Sequence, residues 1–298
     1  MKNAIPVYDI CRLSDAPSGQ KNQEFHVERF GSYVSRHPKS LHLSHGHSFY
    51  HMVLFTKGSG KHTIDFTQFT VKPGQLYCMI PGQVHSWNFS GDVDGYIINF
   101  SDNFFRSLLL RPDYLEQFIF FSGVSNDGVI QLKNSVLERV VSLFEELLSQ
   151  SELVKTNGNT DILRVILLHT FLLIDETTAK VHSSAVAGSR QMLMKNFRRL
   201  IEQHYKTIRL PKEYADLLYI TPNHLNALCQ EMVNTTAGEL IRERVLLEAK
   251  RLLINADLNI SEIAYTLNFK DNSYFSRFFR KYEKISPEDF RARFVTTK

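Results

Sequence analysis

Between residues 24 and 100, Val, Ile, Phe and Tyr recur in short runs. The runs are separated by Gly58-Ser59-Gly60, Pro73-Gly74, Pro81-Gly82 and Ser90-Gly91-Asp92. Runs of strand length punctuated by turn-forming residues predict a small β-barrel or sandwich, with Gly58-Ser59-Gly60 as a hairpin turn. From about Lys133 the period lengthens. Val136, Val140, Leu143/Phe144 and Leu147/Leu148 recur at helical spacing, and Asn157-Gly158-Asn159 ends the pattern. A second helix is expected from near Thr160, with Ile162, Val165/Ile166, His169 and Leu172/Leu173 on its apolar side. Two helices over about 133–175, each apolar along one side, suit a satellite core or a dimer interface. Residues 179–190 are small and polar and read as a linker between a first domain, 1–178, and a second, 191–298. Everything after the linker reads as helix, so the chain is expected to be α+β.

The last third carries one layout twice. In Tyr214–Met232 a short helix holds Tyr214, Ala215, Leu217 and Leu218, and Tyr219-Ile220 forms a turn. Thr221 is a good N-cap and Pro222 sits at the first helical position. The next helix turns Leu225 and Leu228/Cys229 inward and leaves Asn223, His224, Asn226, Ala227 and Gln230 outside. In Ile260–Tyr282, Ser261 is expected to cap a helix carrying Ile263, Ala264 and Leu267. Asn268-Phe269-Lys270 turns and Asp271 caps a second helix. Phe275, Phe278 and Phe279 then point inward, with Asn272, Ser273, Ser276, Arg277, Arg280 and Lys281 outside. An apolar back and a short polar front near the N-terminus describe a DNA recognition helix. Asn pairs with adenine and Arg with guanine in two-pronged fashion; Arg280 and Lys281, further along, suit phosphates. Between the two units Ala237–Ile254 contains no Pro, and Ile241, Val245, Ala249 and Leu252/Leu253 form one stripe. Eighteen residues at about 1.5 Å each make a rod of roughly 27 Å. With helix widths added, two recognition helices would sit about 34 Å apart, one turn of B-DNA.

The segments ITPNHLNALCQE, AKRLLINADLNISEIAYTLNFKDNSYFSRFFRKY and ISPEDFRARF resemble the AraC/XylS family of regulators over residues 193–295. That resemblance implies two helix-turn-helix units joined by a linker helix. Asn223, His224 and Asn226 would lie on the first recognition helix, and Asn272, Ser273, Ser276 and Arg277 on the second. Pro287 would start a closing helix. The family pattern has Gly where this chain has Tyr219, Asn234, Asn268 and Lys284. Asn tolerates the left-handed conformation; Tyr219 and Lys284 are expected to strain their turns. Ala227 and Gln230 stand where the family often has basic residues, which shifts the expected weight of DNA contact to the second unit.

His45, His47 and His51 share one parity, so on a strand they face one side. Pro81-Gly82-Gln83-Val84-His85 adds a fourth histidine after a tight turn, followed by Trp87. HxH with a distant His resembles the cupin pattern, with His51 where metal cupins have Glu, and implies a cupin-like β-barrel with trailing helices. Four imidazoles would suit Zn, Fe, Ni or Cu. The expectation is instead no metal and no cofactor, and an effector pocket lined by His45, His47, His51, His85, Trp87 and Tyr96.

Charge supports this division. Residues 190–298 carry 19 Lys+Arg against 13 Asp+Glu, whereas residues 1–189 carry 16 against 18. A basic final third suits a polyanion. Cys11, Cys78 and Cys229 are odd in number and far apart, which argues against disulfides and thiolate metal sites. Residues 1–10 have no signal-peptide run, and the longest apolar stretch, about 162–174, contains Arg164 and His169; a cytoplasmic location without a membrane partner is expected. P-loop, GxSxG and GxGxxG motifs are all absent from the sequence. The expected function is a non-enzymatic, sequence-specific transcription regulator. Its expected partners are double-stranded DNA, a small-molecule effector, a second copy of the chain and RNA polymerase. The alternative is a metal-dependent cupin enzyme with an accessory nucleic-acid module.

Overall fold

The computed structural model describes residues 5–10, 24–37, 41–106, 114–157, 159–179, 185–255 and 258–294. Contacts divide the chain into two compact units that meet in sequence at residues 181–182.

Among the described residues the first unit has ten strands: β1 (Val7–Tyr8), β2 (Phe25–Arg29), β3 (His45–His47), β4 (Tyr50–Lys57), β5 (Gly60–Ile64), β6 (Thr67–Val71), β7 (Gln75–Met79), β8 (Val84–Phe89), β9 (Asp94–Phe100) and β10 (Val129–Gln131). They form two five-stranded sheets, in the orders β1-β3-β8-β5-β6 and β10-β7-β4-β9-β2. Thus β1 and β10 extend the strand region beyond the expected 24–100. Most successive strands switch sheets, the exceptions being β5 with β6 and β9 with β10. Because β4 and β5 belong to different sheets, Gly58-Ser59-Gly60 is a corner between them rather than a hairpin turn. The hairpin is the next connection: Ile64 pairs with Thr67 across Asp65-Phe66, with Asp65 at φ 52°. At Gly95, a Cβ would stand 1.8 Å from the Leu54 carbonyl oxygen, so no other residue fits beside the β4 bulge.

Strand alternation sorts β4, β7 and β9 into two cores. Val53, Phe55, Tyr77, Met79 and Ile97 face the interior between the sheets, with Phe30, Ile64 and Trp87. Met52, Leu54, Leu76, Cys78, Tyr96, Ile98 and Phe100 face the other way. They meet α3 (Asn134–Asn157) and α4 (Asp161–Ala179) through Val140, Phe144, Leu147, Leu163, Leu167 and Phe171. Two shorter helices, α1 (Phe30–Arg36) and α2 (Asp102–Arg106), also belong to this unit. The expected helices over 133–175 are therefore present, and one face of each covers a sheet.

The second unit is helical: α5 (Ala185–His204), α6 (Pro211–Leu217), α7 (Pro222–Val233), α8 (Ala237–Asn255), α9 (Ile260–Thr266), α10 (Asn272–Glu283) and α11 (Pro287–Phe294). Because α5 starts at Ala185, the predicted linker 179–190 and the boundary at 191 need correction. The segment is small and polar, but Ala and Met are good helix formers, and the pattern of Met194, Phe197 and Ile201 reaches the core. Asn259, not Ser261, caps α9: its side chain accepts the Glu262 N–H while Glu262 answers to the Asn259 N–H, a capping box. Thr236 with Glu239 and Ser286 with Asp289 make the corresponding turns before α8 and α11.

Four non-glycine residues of the second unit have φ between 53° and 64°: Tyr219, Asn234, Asn268 and Lys284. These are the four positions at which the family pattern has Gly. Tyr219 is 95% exposed, so its ring returns little packing for the strained backbone. Tyr219→Gly is expected to raise stability by about 1 kcal/mol, read as a higher urea midpoint by circular dichroism.

One end of the inter-sheet core is imidazole. His45, His47, His51, His62 and His85 are all buried. Burial holds His45 below its usual range and His47, His62 and His85 well below it; His51 falls to about 3 against a pull upward from Asn99. These rings stay neutral on acidification, whereas the unfolded chain takes up protons below about pH 6.5. Stability is therefore full above that pH and lost below it, by up to about 1.4 kcal/mol per histidine per pH unit. Trp87, the single tryptophan, lies in this core. Its fluorescence is expected to report a urea midpoint that is flat between pH 7 and 8 and falls steeply from 6.5 to 5.

Candidate nucleic-acid interface and histidine core

In the first helix-turn-helix unit, the Thr221 hydroxyl accepts the His224 N–H at 3.2 Å and Pro222 opens α7. Leu225, Leu228 and Cys229 are buried. This fixes the rotation of α7, leaving Asn223, His224, Ala227 and Gln230 exposed. Asn226 departs from the expected outward set. It is half-buried, and its Oδ1 accepts the Ala237 N–H at 3.1 Å, occupying one of the free donors at the start of α8. A side chain whose acceptor is held this way is a strut rather than an adenine reader. Gln230 donates to Asn234 Oδ1 at 2.8 Å.

In the second unit Asp271 caps α10 by accepting the Tyr274 N–H at 2.7 Å, and Phe275 and Phe279 are buried. Phe278 is half-buried against Phe269 and Tyr282. Ser273, Arg277, Arg280 and Lys281 are exposed, while Asn272 and Ser276 are half-buried and joined by a 3.2 Å hydrogen bond. Sequence reasoning missed Tyr274, which is 53% exposed beside Ser273. Its spacing from Arg277 and Lys281 was the available signal. Aligned at their caps, the two outer faces differ. The first carries Asn223, His224, Ala227, Gln230 and Glu231; the second carries Ser273, Tyr274, Arg277, Arg280 and Lys281. Glu231 is paired with Arg190 on α5 at 2.5 Å.

One continuous helix joins the two helix-turn-helix units. Helix α8 runs unbroken from Ala237 to Asn255, about 28 Å long. Its buried stripe is Ile241, Val245, Leu246, Ala249, Leu253 and Ile254. Arg244 joins it to α5 through Glu202 at 2.7 Å and lies over Tyr205. Lys250 reaches Glu283 at the end of α10 at 2.7 Å, and Arg242 lies over Tyr282. Arg291 of α11 donates to the Leu253 and Leu258 carbonyls at 2.9 and 2.6 Å. Arg209, just before α6, donates to the Leu267 carbonyl and lies over Phe269, tying the first unit to the turn of the second.

In the first unit, the structure brings together His45, His47, His51, His85 and Trp87 and adds His62, which stacks on Trp87 with ring centres 3.4 Å apart. His47 and His85 meet through their Nε2 atoms at 2.6 Å, and His62 Nε2 meets His85 Nδ1 at 3.0 Å. Tyr96 does not join them. On β9, Asn99 and Ile97 face inward, so Tyr96 falls on the outer face, where its hydroxyl donates to Glu145 of α3 at 2.5 Å. Its predicted place in the effector pocket is corrected accordingly. A cleft of about 460 Å³ lies elsewhere, lined by Gly31, Val34, Ser35, Leu41, His42, Phe89, Gly91, Asp92 and Val93. Among the described residues no helix is long and apolar enough to cross a membrane. Cys78 and Cys229 are free and buried, and Cys11 lies outside the described residues.

Residues 33–172 match the family described as the AraC-like ligand binding domain, and residues 214–293 match a helix-turn-helix domain family. The HTH-type transcriptional activator RhaS of Escherichia coli O81 is 24% identical over 268 residues, which cover 86% of this chain and 90% of RhaS. The HTH-type transcriptional regulator YijO of Escherichia coli K12 is 32% identical over 108 residues, 36% of this chain and 38% of YijO. The structure of ToxT from Vibrio cholerae aligns over 92% of this chain and 100% of that chain, at 15% identity and a TM-score of 0.43. With a ligand-binding domain of this type followed by helix-turn-helix units, the chain belongs to the AraC family of transcription regulators.

Proposed function

We propose that one chain reads two successive major grooves on one face of DNA, with α7 and α10 as the reading helices and α8 as the ruler between them. The observation that supports this most directly is the unbroken α8 joining two copies of one helix-turn-helix layout. On α7 the reading side chains are Asn223 and His224, with Thr221 and Gln230 nearby. On α10 they are Ser273, Tyr274 and Arg277, with Asn272 and Ser276 beneath them. Arg280 and Lys281 hold phosphates. The basic face of α10 carries most of the affinity, because phosphate contacts dominate binding free energy.

The first unit is the ligand-responsive part, and a small-molecule effector bound there shifts the protein between states that engage DNA differently. Ile162, Val165 and Leu172 are exposed on α4 beside its buried face and suit pairing with a second copy. The protein works in the cytoplasm, with RNA polymerase as its further partner.

Footprinting on the target promoter tests this reading directly: two protected patches about ten base pairs apart on one face are expected, and a single patch contradicts it. Arg277→Ala is expected to weaken specific binding by about 1–3 kcal/mol and to relax base choice at one position, measured by titrating single-base operator variants. Lys281→Ala is expected to weaken binding to all sequences alike and to flatten the salt dependence by about one unit of log-log slope. Asn226→Ala, by contrast, is expected to lower the urea midpoint, by about 1 kcal/mol in stability, while leaving base preference intact.

A further inference from the structure

The histidine core combines buried donors with no carboxylate among them. His45, His47 and His85 each offer a ring nitrogen, and these three atoms lie within 4.8 Å of one another. Imidazole nitrogens about 2.0–2.1 Å from one tetrahedral ion stand roughly 3.3 Å apart. The observed spread, from 2.6 Å between His47 and His85 up to that limit, brackets this value, so small ring rotations would converge them.

The surroundings set the tautomers of two of these rings, His45 and His51. His45 Nδ1 lies 2.9 Å from the Leu43 carbonyl, an acceptor only, so Nδ1 carries the proton and Nε2 presents a lone pair. His51 Nδ1 lies 2.7 Å from Asn99 Oδ1 in the same relation. His85 Nδ1 lies 3.0 Å from His62 Nε2, and His85 Nε2 lies 2.6 Å from His47 Nε2, where an ion would replace the proton they share. A hydrogen bond to the nitrogen opposite the donor is the usual support of a metal-binding imidazole. His51 Nε2 is buried and, among the described residues, has no hydrogen-bond partner. Its ring lies 4.8 Å from the ring of His47 and 5.2 Å from that of His85. A core built only for packing would gain more from apolar side chains than from five desolvated imidazoles.

We propose that this cluster is a transition-metal site, with His45, His47, His85 and His51 as ligands, and that the ion is what the ligand-binding domain senses. Neutral imidazoles without oxygen donors select a late first-row divalent ion of the Zn²⁺, Ni²⁺ or Cu²⁺ class over Mg²⁺ or Ca²⁺. His62 and Asn99 are positioning residues: they orient His85 and His51 and do not touch the ion. The sensing part of the proposal rests on the regulator reading above.

The test uses untagged, full-length protein stripped with chelator and titrated with Co²⁺, then with Zn²⁺. One Co²⁺ per chain is expected, with the strong visible bands of a four-coordinate site, and Zn²⁺ displaces it. His47→Gln and His85→Gln are each expected to weaken ion binding at least tenfold, with Trp87 fluorescence checking that the variants fold. X-ray absorption at the zinc edge of the unmutated protein needs no variant and is expected to show imidazole nitrogens in the shell. Less than about a tenth of an equivalent bound, or a shell of sulfur or oxygen donors, overturns the site. In the DNA arm, Zn²⁺ is expected to change operator affinity at least fivefold relative to chelated protein. Unchanged affinity overturns the sensing role while leaving the regulator reading in place. Failure to bind any promoter DNA in either state overturns the regulator reading itself.

Discussion

The second unit depends on helix α8 remaining one unbroken rod. Its N-terminus is held by the Thr236–Glu239 turn and by Asn226, and the carbonyls at and beyond its C-terminal turn are satisfied by Arg291. Each end is thus fixed by a residue from the helix-turn-helix unit or closing helix beside it. The polar groups that a helix leaves unsatisfied at its ends serve here as attachment points. Arg209 supplies a further tie across the rod, reaching Leu267 and Phe269 from the chain just before α6. These bonds tie the first helix-turn-helix unit and the closing helix to the two ends of the same helix, and the first unit to the turn of the second.

The four left-handed residues fall at matching places in the two copies of the layout. Tyr219 and Asn268 occupy the same turn in the two units, and Asn234 and Lys284 end the two recognition helices. All four sites hold left-handed backbone although glycine stands at none of them. Asparagine meets this demand at modest cost; tyrosine and lysine do so with more strain. The surrounding packing evidently outweighs that local cost.

Much of this was legible in the sequence, for physical reasons. Period-3.6 patterning between capping residues located α7 and α10, and Thr221 and Asp271 cap as expected because a side-chain oxygen before a helix has few other uses. Parity placed His45, His47 and His51 on one side, and it held across the break between β3 and β4. His62 escaped notice because it lies on a different strand and joins the others only through the β5–β8 pairing. Tyr96 was misplaced because an aromatic residue on a doubly buried sheet looks the same whichever core it enters. Only pairing, with His51 opposite Asn99 and Leu54 opposite Tyr96, separates the two faces. Asn226 was misread because its partner, the Ala237 N–H, lies eleven residues away past a turn.

The unlike outer faces of α7 and α10 have a consequence for genome organisation. A rod with identical ends would sit on a symmetric sequence in either direction. On the two-groove reading proposed above, a rod with a neutral end and a basic end would have a heading, and its binding site would be an arrow rather than a palindrome. Reversing that arrow relative to a transcription start would present the opposite flank of the protein to whatever assembles there, even with every base pair of the site preserved.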